Sequence, residues 1–483
     1  MVSEEQATIS CKMLDLPPEI VLQISTMLNW QDILRLRQTC KAMSEASRTK
    51  MLWTHLFSLH KDSWLQAPRL ERPIEQYSST ELEALVLRWI SSGKTCEEII
   101  HKGSNYKGGV IQTREIKSQK VECMCLIKGG RWLLTAFRNG SVYYCDLNSA
   151  TLQKVPLIQK QVNLKTHPDS RIFMTVDVDE DSSVLSFNIA LIFIQARSSE
   201  PPYETGWQFF NSNLSKVAKK AQQVQIWHVN LVVEESSRVT DGLAATKLTS
   251  FLLDPNVVWI HSYSLLGSHI ALGIHCYYLE PNGIKECYCT MIIEWMCAHE
   301  GLLDYPRYCF SFEDPICAMH LLPQKRVFSI NWLGGLYLQD YSTLPEITGI
   351  LWSPDELEPL WTAPFKCRNV AFSTPQTLDG ENQLFVLLPS GFNELFGILV
   401  YGLGNPLGAE HPVSIISLNK SGLDTSAGKQ LSTVPLEQPL SIFLRDNKNG
   451  AMMDTGTSLR SIICSQIPRS QYLMRILDVS SSP

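Results

Sequence analysis

Long apolar runs are missing from this chain. The longest, such as Ile189 to Ile194, are strand length, well short of the ~18 residues that a membrane-spanning helix needs. A surplus of basic charge is missing too. With 42 Lys and Arg against 48 Asp and Glu the net charge is −6, which argues against a general attraction to nucleic acid or an anionic membrane surface. The 14 cysteines among 483 residues follow no framework spacing, so the expectation is mostly free thiols in a reducing compartment, the cytoplasm, the nucleus or both. Residues Met1 to Lys12 are polar and acidic and lack the apolar centre of a secretory leader. On that reading the Asn-x-Ser sequons at Asn139, Asn213 and Asn419 carry no glycan.

Catalytic signatures are equally scarce. The chain holds no HExxH, no GxSxG elbow and no dinucleotide fingerprint. Gly93-Lys94-Thr95 resembles the end of a phosphate loop, but Arg88 occupies the position where the earlier glycine belongs. Asp177, Asp179 and Asp181 alternate as in a calcium loop, yet Ser182 and Asn188 stand where Gly and Glu are required, and a hairpin turn explains the cluster more simply. Cys287, Cys289, Cys297 and His299 have strand-like spacing that would let four zinc-type ligands converge. Zinc sites more often use CxxC turns, and a buried cysteine is commonly a small core residue. The expectation is therefore a non-catalytic protein with no cofactor and no metal.

What the chain does have is apolar content, 44% of residues, enough for a large core without staples. Residues 14–60 are helical in pattern. Asp15 is a candidate N-cap, with Pro17 and Pro18 suited to a first turn. Ile20, Val21, Ile24, Met27 and Leu28 make one stripe at helical spacing. QDILRLRQ, with Asp32 in its first turn, TCKAMSEAS and KMLWTHLFSLH follow. Met51, Leu52, Trp53, Leu56, Phe57 and Leu59 form the last apolar cluster. Three or four helices in so short a stretch are marginal alone, so this module docks on a partner or caps the rest of the chain.

The segment LDLPPEIVLQISTMLNWQDILRLRQTCKAMSEASRTKMLWTHLF resembles an F-box without a gap. The resemblance is carried by Leu16-Pro17, Glu19-Ile20, Ile24, Leu28, Asp32-Ile33-Leu34, Cys40-Lys41, Leu52-Trp53 and Leu56. It departs at Ser25, where Phe is frequent, and at Met43, where an aromatic is frequent, and both departures slightly weaken the apolar surface. The resemblance implies insertion into a groove of the Skp1 adaptor and, through it, association with a cullin-RING ubiquitin ligase. It puts Leu16, Pro17, Ile20, Val21, Ile24, Leu28, Leu34, Cys40 and Trp53 forward as Skp1-facing or interface-supporting positions, some of which must instead hold the module's own helices together.

Residues 61–79, with Pro68 and Pro73, read as an extended linker. SSTELEALVLRWISS then predicts a docking helix over 80–90, capped by Ser79 or Thr80 with Glu83 completing a capping box. From about residue 110 the texture becomes short β-rich runs between turn residues. Trp132 to Phe137 and Val142 to Leu147 predict a hairpin whose Asn139-Gly140 turn suits positive φ at both residues. This unit looks like half of a WD40-type propeller blade, with Cys145-Asp146 where the family ends in Trp-Asp. Weaker echoes follow at VQIWHV, at residues 266–296, 316–341 and 384–401, and over 440–476. The layout is similar to that of F-box proteins from mushroom-forming fungi.

The expected architecture is thus a flexible N-terminus over 1–13, a small all-α F-box over 14–60, a linker and docking helix over 61–109, and a large all-β domain over 110–483. A seven-bladed propeller is the preferred form of the last, six or eight blades also fitting its length, with a pair of β-sandwiches or a β-solenoid as rivals. The polar segments Arg197 to Gln208 and Leu418 to Leu436 read as surface loops, and Ser212 to Gln223, with Lys216, Lys219 and Lys220, as a solvated helix. The function expected from the resemblance is a substrate-recognition adaptor, with the F-box on Skp1 and the propeller on a substrate protein. The alternatives are a scaffold that uses Skp1 outside a ligase and a propeller enzyme with a channel site.

Overall fold

The computed structural model describes residues 16–63, 70–87, 110–118, 121–149, 151–160, 171–194, 222–233, 240–254, 257–280, 283–299, 304–349, 353–364, 370–372, 376–378, 382–389, 396–402, 412–417, 453–455, 460–467 and 471–480. The expected cap Asp15, the Gly93-Lys94-Thr95 motif, the sequons at Asn213 and Asn419 and the three polar segments beginning at Arg197, Ser212 and Leu418 lie outside these, apart from the last residues of the second segment.

Four helices come first: α1 (Pro18–Thr26), α2 (Trp30–Arg37), α3 (Lys41–Ala46) and α4 (Lys50–Ser63). Pro17 sits at the N-cap position of α1 with Pro18 inside the first turn, where no backbone donor is lost. Asn29 caps α2, its Oδ1 accepting from Asp32 N at 2.9 Å. A fifth helix, α5, covers 79–87. Its cap is one turn position earlier than the sequence suggested. Ser78 and Glu81 form the reciprocal box: Glu81 N donates to Ser78 Oγ at 3.2 Å and Ser78 N donates to a Glu81 carboxylate oxygen at 2.7 Å.

The β region opens with β1 (Val110–Ser118) and continues as antiparallel meanders in chain order. The first comprises β2 (Val121–Leu126), β3 (Trp132–Phe137), β4 (Val142–Asp146) and β5 (Val155–Ile158). The second comprises β6 (Arg171–Val178), β7 (Ser186–Ile194), β8 (Gln223–Val233) and β9 (Thr240–Leu252). The third holds β10 (Val257–Leu266), β11 (His269–Glu280), β12 (Gly283–Glu294) and β13 (Arg307–Phe312). The fourth holds β14 (Ile316–Leu322), β15 (Arg326–Asn331), β16 (Gly335–Asp340) and β17 (Trp361–Pro364). The fifth is built from β18 (Val370–Phe372), β19 (Gln376–Leu378), β20 (Asn382–Pro389), β21 (Phe396–Val400) and β22 (Val413–Ser417). The chain then returns. β23 (Met453–Thr455) adds in parallel to β2, while β25 (Gln471–Ser480) pairs with β1 on one side and with β24 (Arg460–Ile467) on the other. The two ends of the β region are thus stitched together. The described residues form six sheets, where the sequence reading preferred seven blades.

These sheets stack on one another because their middle strands are apolar on both faces. In β7, Phe187, Ile189 and Leu191 pack toward Leu134, Ala136 and Tyr144 of the first sheet. The alternate residues Ala190, Ile192 and Ile194 pack toward Leu272, Ile274 and Met291 of the third. A strand buried on both sides reads as a continuous apolar run, which is why Ile189 to Ile194 stood out in the sequence. Ala271, Ile292 and Phe310 meet Met319 and Leu321 of the fourth sheet, and Phe328 and Ile330 meet Ile398 and Val400 of the fifth. The first strands β2, β6, β10 and β14 touch in succession. Four-stranded meanders, stacked face to face with their first strands innermost, make a propeller-like all-β domain.

The β3–β4 turn departs from expectation. Only Gly140 adopts positive φ, at 83°, and Asn139 instead uses its side chain, Oδ1 accepting from Ser141 N at 3.0 Å. The connection is a longer loop with glycine alone in the left-handed region.

Candidate partner-binding site

The helical module has its own core. Ile33, Leu52, Trp53, Leu56 and Phe57 pack with Tyr77, Leu82 and Val86, so α5 and the turn before it close over α2 and α4. Trp53 is fully buried, and its Nε1 donates to the Ser47 carbonyl at 2.9 Å. Arg37 stands over the Trp53 ring, donates to Ser47 Oγ at 2.9 Å and pairs with Glu83 of α5. Lys50 Nζ donates to the Glu75 carbonyl at 2.7 Å.

This packing divides the nine partner-facing candidates. Val21 and Trp53 are buried inside the module. Leu16, Ile24, Leu28, Leu34 and Cys40 are half-buried, and Pro17 and Ile20 are exposed. The apolar cluster of α4 also divides: Leu52, Trp53, Leu56 and Phe57 turn inward, while Met51 and Leu59 turn out. Ile20 at 40%, Met27 at 86%, Met51 at 66% and Leu59 at 51% exposure leave large apolar side chains in solvent. Met27, Met51 and Leu59 were not singled out as partner-facing by sequence. Their signal was phase, since Met51 and Leu59 flank the inward-facing positions of the same helix. Ser25 and Met43 are both buried, Ser25 Oγ donating to the Val21 carbonyl at 2.8 Å. The two departures from the F-box pattern therefore fall inside the module and do not thin its exposed apolar surface.

Residues 13–58 match the F-box-like family. The N-terminal module is an F-box-like domain. No curated protein matches the chain. Among solved structures, the chain is similar to the WD40 domain of SCAP from fission yeast at 11% identity, covering 65% of this chain and 62% of that one, with a TM-score of 0.29. This chain thus spans less than two thirds of that domain's length. It is also similar to the Myceliophteria thermophila Cps50 (Swd1) β-propeller domain, at 12% identity over 77% of this chain and 100% of that one, with a TM-score of 0.30. Chaetomium thermophilum Raptor matches at 10% identity over 96% of this chain and 42% of its own, with a TM-score of 0.31. Superpositions this loose carry no argument, and the propeller-like architecture rests on the sheet order and stacking above.

The F-box-like domain is joined to the β domain through Glu71. Its carboxylate meets Arg131 Nη1 at 2.6 Å, and its carbonyl accepts from Leu185 N at 2.7 Å. Arg131 also holds Asp146 at 2.8 Å, the aspartate that ends the first blade-like hairpin. Burial raises the Glu71 pKa, while the Arg131 charge opposes the rise. Removing one partner of a buried pair strands the other. Arg131→Ala is therefore expected to weaken this seam by about 3 kcal/mol, seen as faster hydrogen exchange in residues 79–87. Unchanged exchange there would contradict the role given to the pair.

The acidic cluster is a hairpin feature. Asp177, next to last in β6, accepts from Gly267 N at 2.7 Å, and Asp179 accepts from Asp181 N at 3.1 Å. Asp177 is pushed up to about 6 by burial, with Asp179 and Glu180 adding to the rise and the Gly267 bond opposing it. A carboxyl with a raised pKa in the folded state binds its proton more tightly there than in the unfolded chain. Its ionisation lowers stability as pH climbs through the window from about 4 to 6, and the loss is complete above it. Asp177→Asn keeps the acceptor for Gly267 and removes the charge. Its expected effect is a gain of up to about 3 kcal/mol at pH 7 that vanishes near pH 4, read from thermal melting across pH. A loss of stability at pH 7 would contradict it.

The four zinc-type candidates do not assemble. β12 ends at Glu294, and Cys297 lies exposed in the tight turn Trp295–Cys297, with His299 exposed beyond it. Cys287 and Cys289 meet Cys276 instead. Its Sγ lies 3.2 Å from that of Cys287 and 3.5 Å from that of Cys289. The hydrogen bond with Cys276, and then that with Cys289, holds the Cys287 thiol well below its ordinary range, at about 4.

Proposed function

We propose that this chain is the substrate-recognition subunit of an SCF (Skp1–cullin–F-box) ubiquitin ligase, its F-box-like domain docking on Skp1 and its propeller-like domain holding a client protein. The observation that supports this reading is the exposed apolar set Ile20, Met27, Met51 and Leu59 on a domain that matches the F-box-like family. A module that merely capped the β domain would turn such side chains inward, because exposed apolar clusters mark association surfaces. The chain itself performs no chemistry. Its contribution is proximity, since holding a client near a charged conjugating enzyme raises the effective concentration of the client's lysines.

The layout suits that task. Glu71 attaches the F-box-like domain at the turns following β2 and β6, residues 127–131 and 179–185. Lys128 pairs with Glu180, and Asp177 holds Gly267, so these turns share one end of the β domain. The β15–β16 turn lies at the other end of its strands and carries Trp332 and Leu333, both more than half exposed. In our reading the client binds at that far end, away from Skp1. Among the described residues no helix is long and apolar enough to cross a membrane. The work is assigned to the cytoplasm, the nucleus or both.

The test is co-purification of the full chain with purified Skp1 and a cullin. The expected result is a stable ternary complex. Binding of Skp1 without the cullin would move the assignment to a scaffold outside the ligase, and binding of neither would remove it.

A further inference from the structure

β11 and β12 carry a thiol group that the proposed adaptor role does not use. Cys276 lies directly opposite Cys287 in the antiparallel register, and Cys289 is two residues further along the same face. The three sulfur atoms all lie within 4.8 Å of one another. Cys276 and Cys289 are buried among Ile274, Met291 and Cys309, while Cys287 is half-buried and so opens the group toward solvent. A metal–sulfur bond of about 2.3 Å sets thiolates about 3.8–4.0 Å apart. The Cys276–Cys287 and Cys276–Cys289 spacings of 3.2 and 3.5 Å fall a little short of that value, so the sulfurs would part by roughly half an ångström to seat an ion between two middle strands of the sheet.

The donor set also discriminates among ions. Three sulfurs and no carboxylate are soft ligands, which select copper(I), zinc or iron–sulfur clusters over hard cations. Structural zinc is almost always four-coordinate, and among the described residues no fourth His, Cys, Asp or Glu joins the group. The neighbouring His275 belongs to the opposite face of the sheet, where it meets Glu286 and the Tyr288 ring.

We propose that Cys276, Cys287 and Cys289 form a three-thiolate site for one soft monovalent metal ion, copper(I). Binding forms three metal–sulfur bonds, and each sulfur that still carries a proton releases it to solvent. No electron is transferred, so no oxidant or reductant is needed.

The test uses the reduced full chain under anaerobic conditions, titrated with copper(I) against a chromophoric copper(I) chelator. Cys287→Ser and Cys297→Ser are run alongside. Because Cys287 is half-buried, its serine variant should keep the wild-type circular dichroism. The wild type and Cys297→Ser are expected to retain one more copper(I) per chain than Cys287→Ser, with the affinity of that ion lowered at least about 100-fold by the Cys287 change, as loss of one ligand in three requires. Equal retention by the wild type and Cys287→Ser would overturn the proposal. So would zinc held in preference to copper(I), or a Cys276–Cys287 disulfide in the chain purified without reductant.

Discussion

Arg307→Ala is expected to lower the stability of the β domain by about 3–5 kcal/mol, one of the two largest single-residue effects on stability expected in this chain. Arg307 is wholly buried at the start of β13, and Asp254, just after β9, is 1% exposed; the two sit 3.7 Å apart. The guanidinium also donates to the Gly349 carbonyl and lies 5.2 Å from the centre of the Tyr305 ring. One side chain thereby ties the second sheet, the third sheet and the segment between β16 and β17 of the fourth. Truncation strips a buried carboxylate of its cation in a medium that solvates charge poorly. A paired change, Arg307→Met with Asp254→Leu, is expected to restore most of the loss, since an apolar pair of similar volume replaces the ion pair without its desolvation cost. Urea denaturation followed by tryptophan fluorescence measures both. A single-variant loss below about 1 kcal/mol, the range of an exposed pair, would mean that Arg307 is solvated and that the sheets are not joined there.

Ile20→Asp combined with Met51→Asp is expected to weaken Skp1 binding at least about 100-fold, because two carboxylates would have to be desolvated in an apolar contact. Both side chains are exposed, so the domain should melt as the wild type does. Trp53→Ala makes the contrasting case. Trp53 is fully buried in the domain's core, and its truncation is expected to cost about 3–5 kcal/mol of stability. Loss of binding in that variant reports unfolding and not a lost contact. Wild-type affinity in the Ile20/Met51 double variant would place the docking surface elsewhere.

The contrast shows how far the sequence could be read. Helical spacing located α1 to α4, because an apolar stripe at that period has few other uses. It could not tell Met51 from Leu52, because the face that is covered depends on α5, which arrives some thirty residues later and brings Leu82, Val86 and Glu83 over Trp53. In the β domain the two-sided strand β7 was visible as an unbroken apolar run. A blade-ending Trp-Asp pair was not, since Cys145 precedes Asp146, the aspartate that holds Arg131. The thiol group was hidden for a different reason. Cys276 reaches Cys287 only through the β11–β12 register, and no local spacing encodes that. Cys297 looked eligible until the strand ended at Glu294 and the chain turned away.

The most direct test of the account is the affinity of the purified full chain for purified Skp1, measured by calorimetry. The account expects saturable one-to-one binding with Kd of about 1 μM or tighter, as a specific apolar interface of standard size provides. Absence of binding at a concentration about a hundredfold higher would show that the exposed apolar face of the F-box-like domain is not a Skp1-docking surface, and would contradict the adaptor reading.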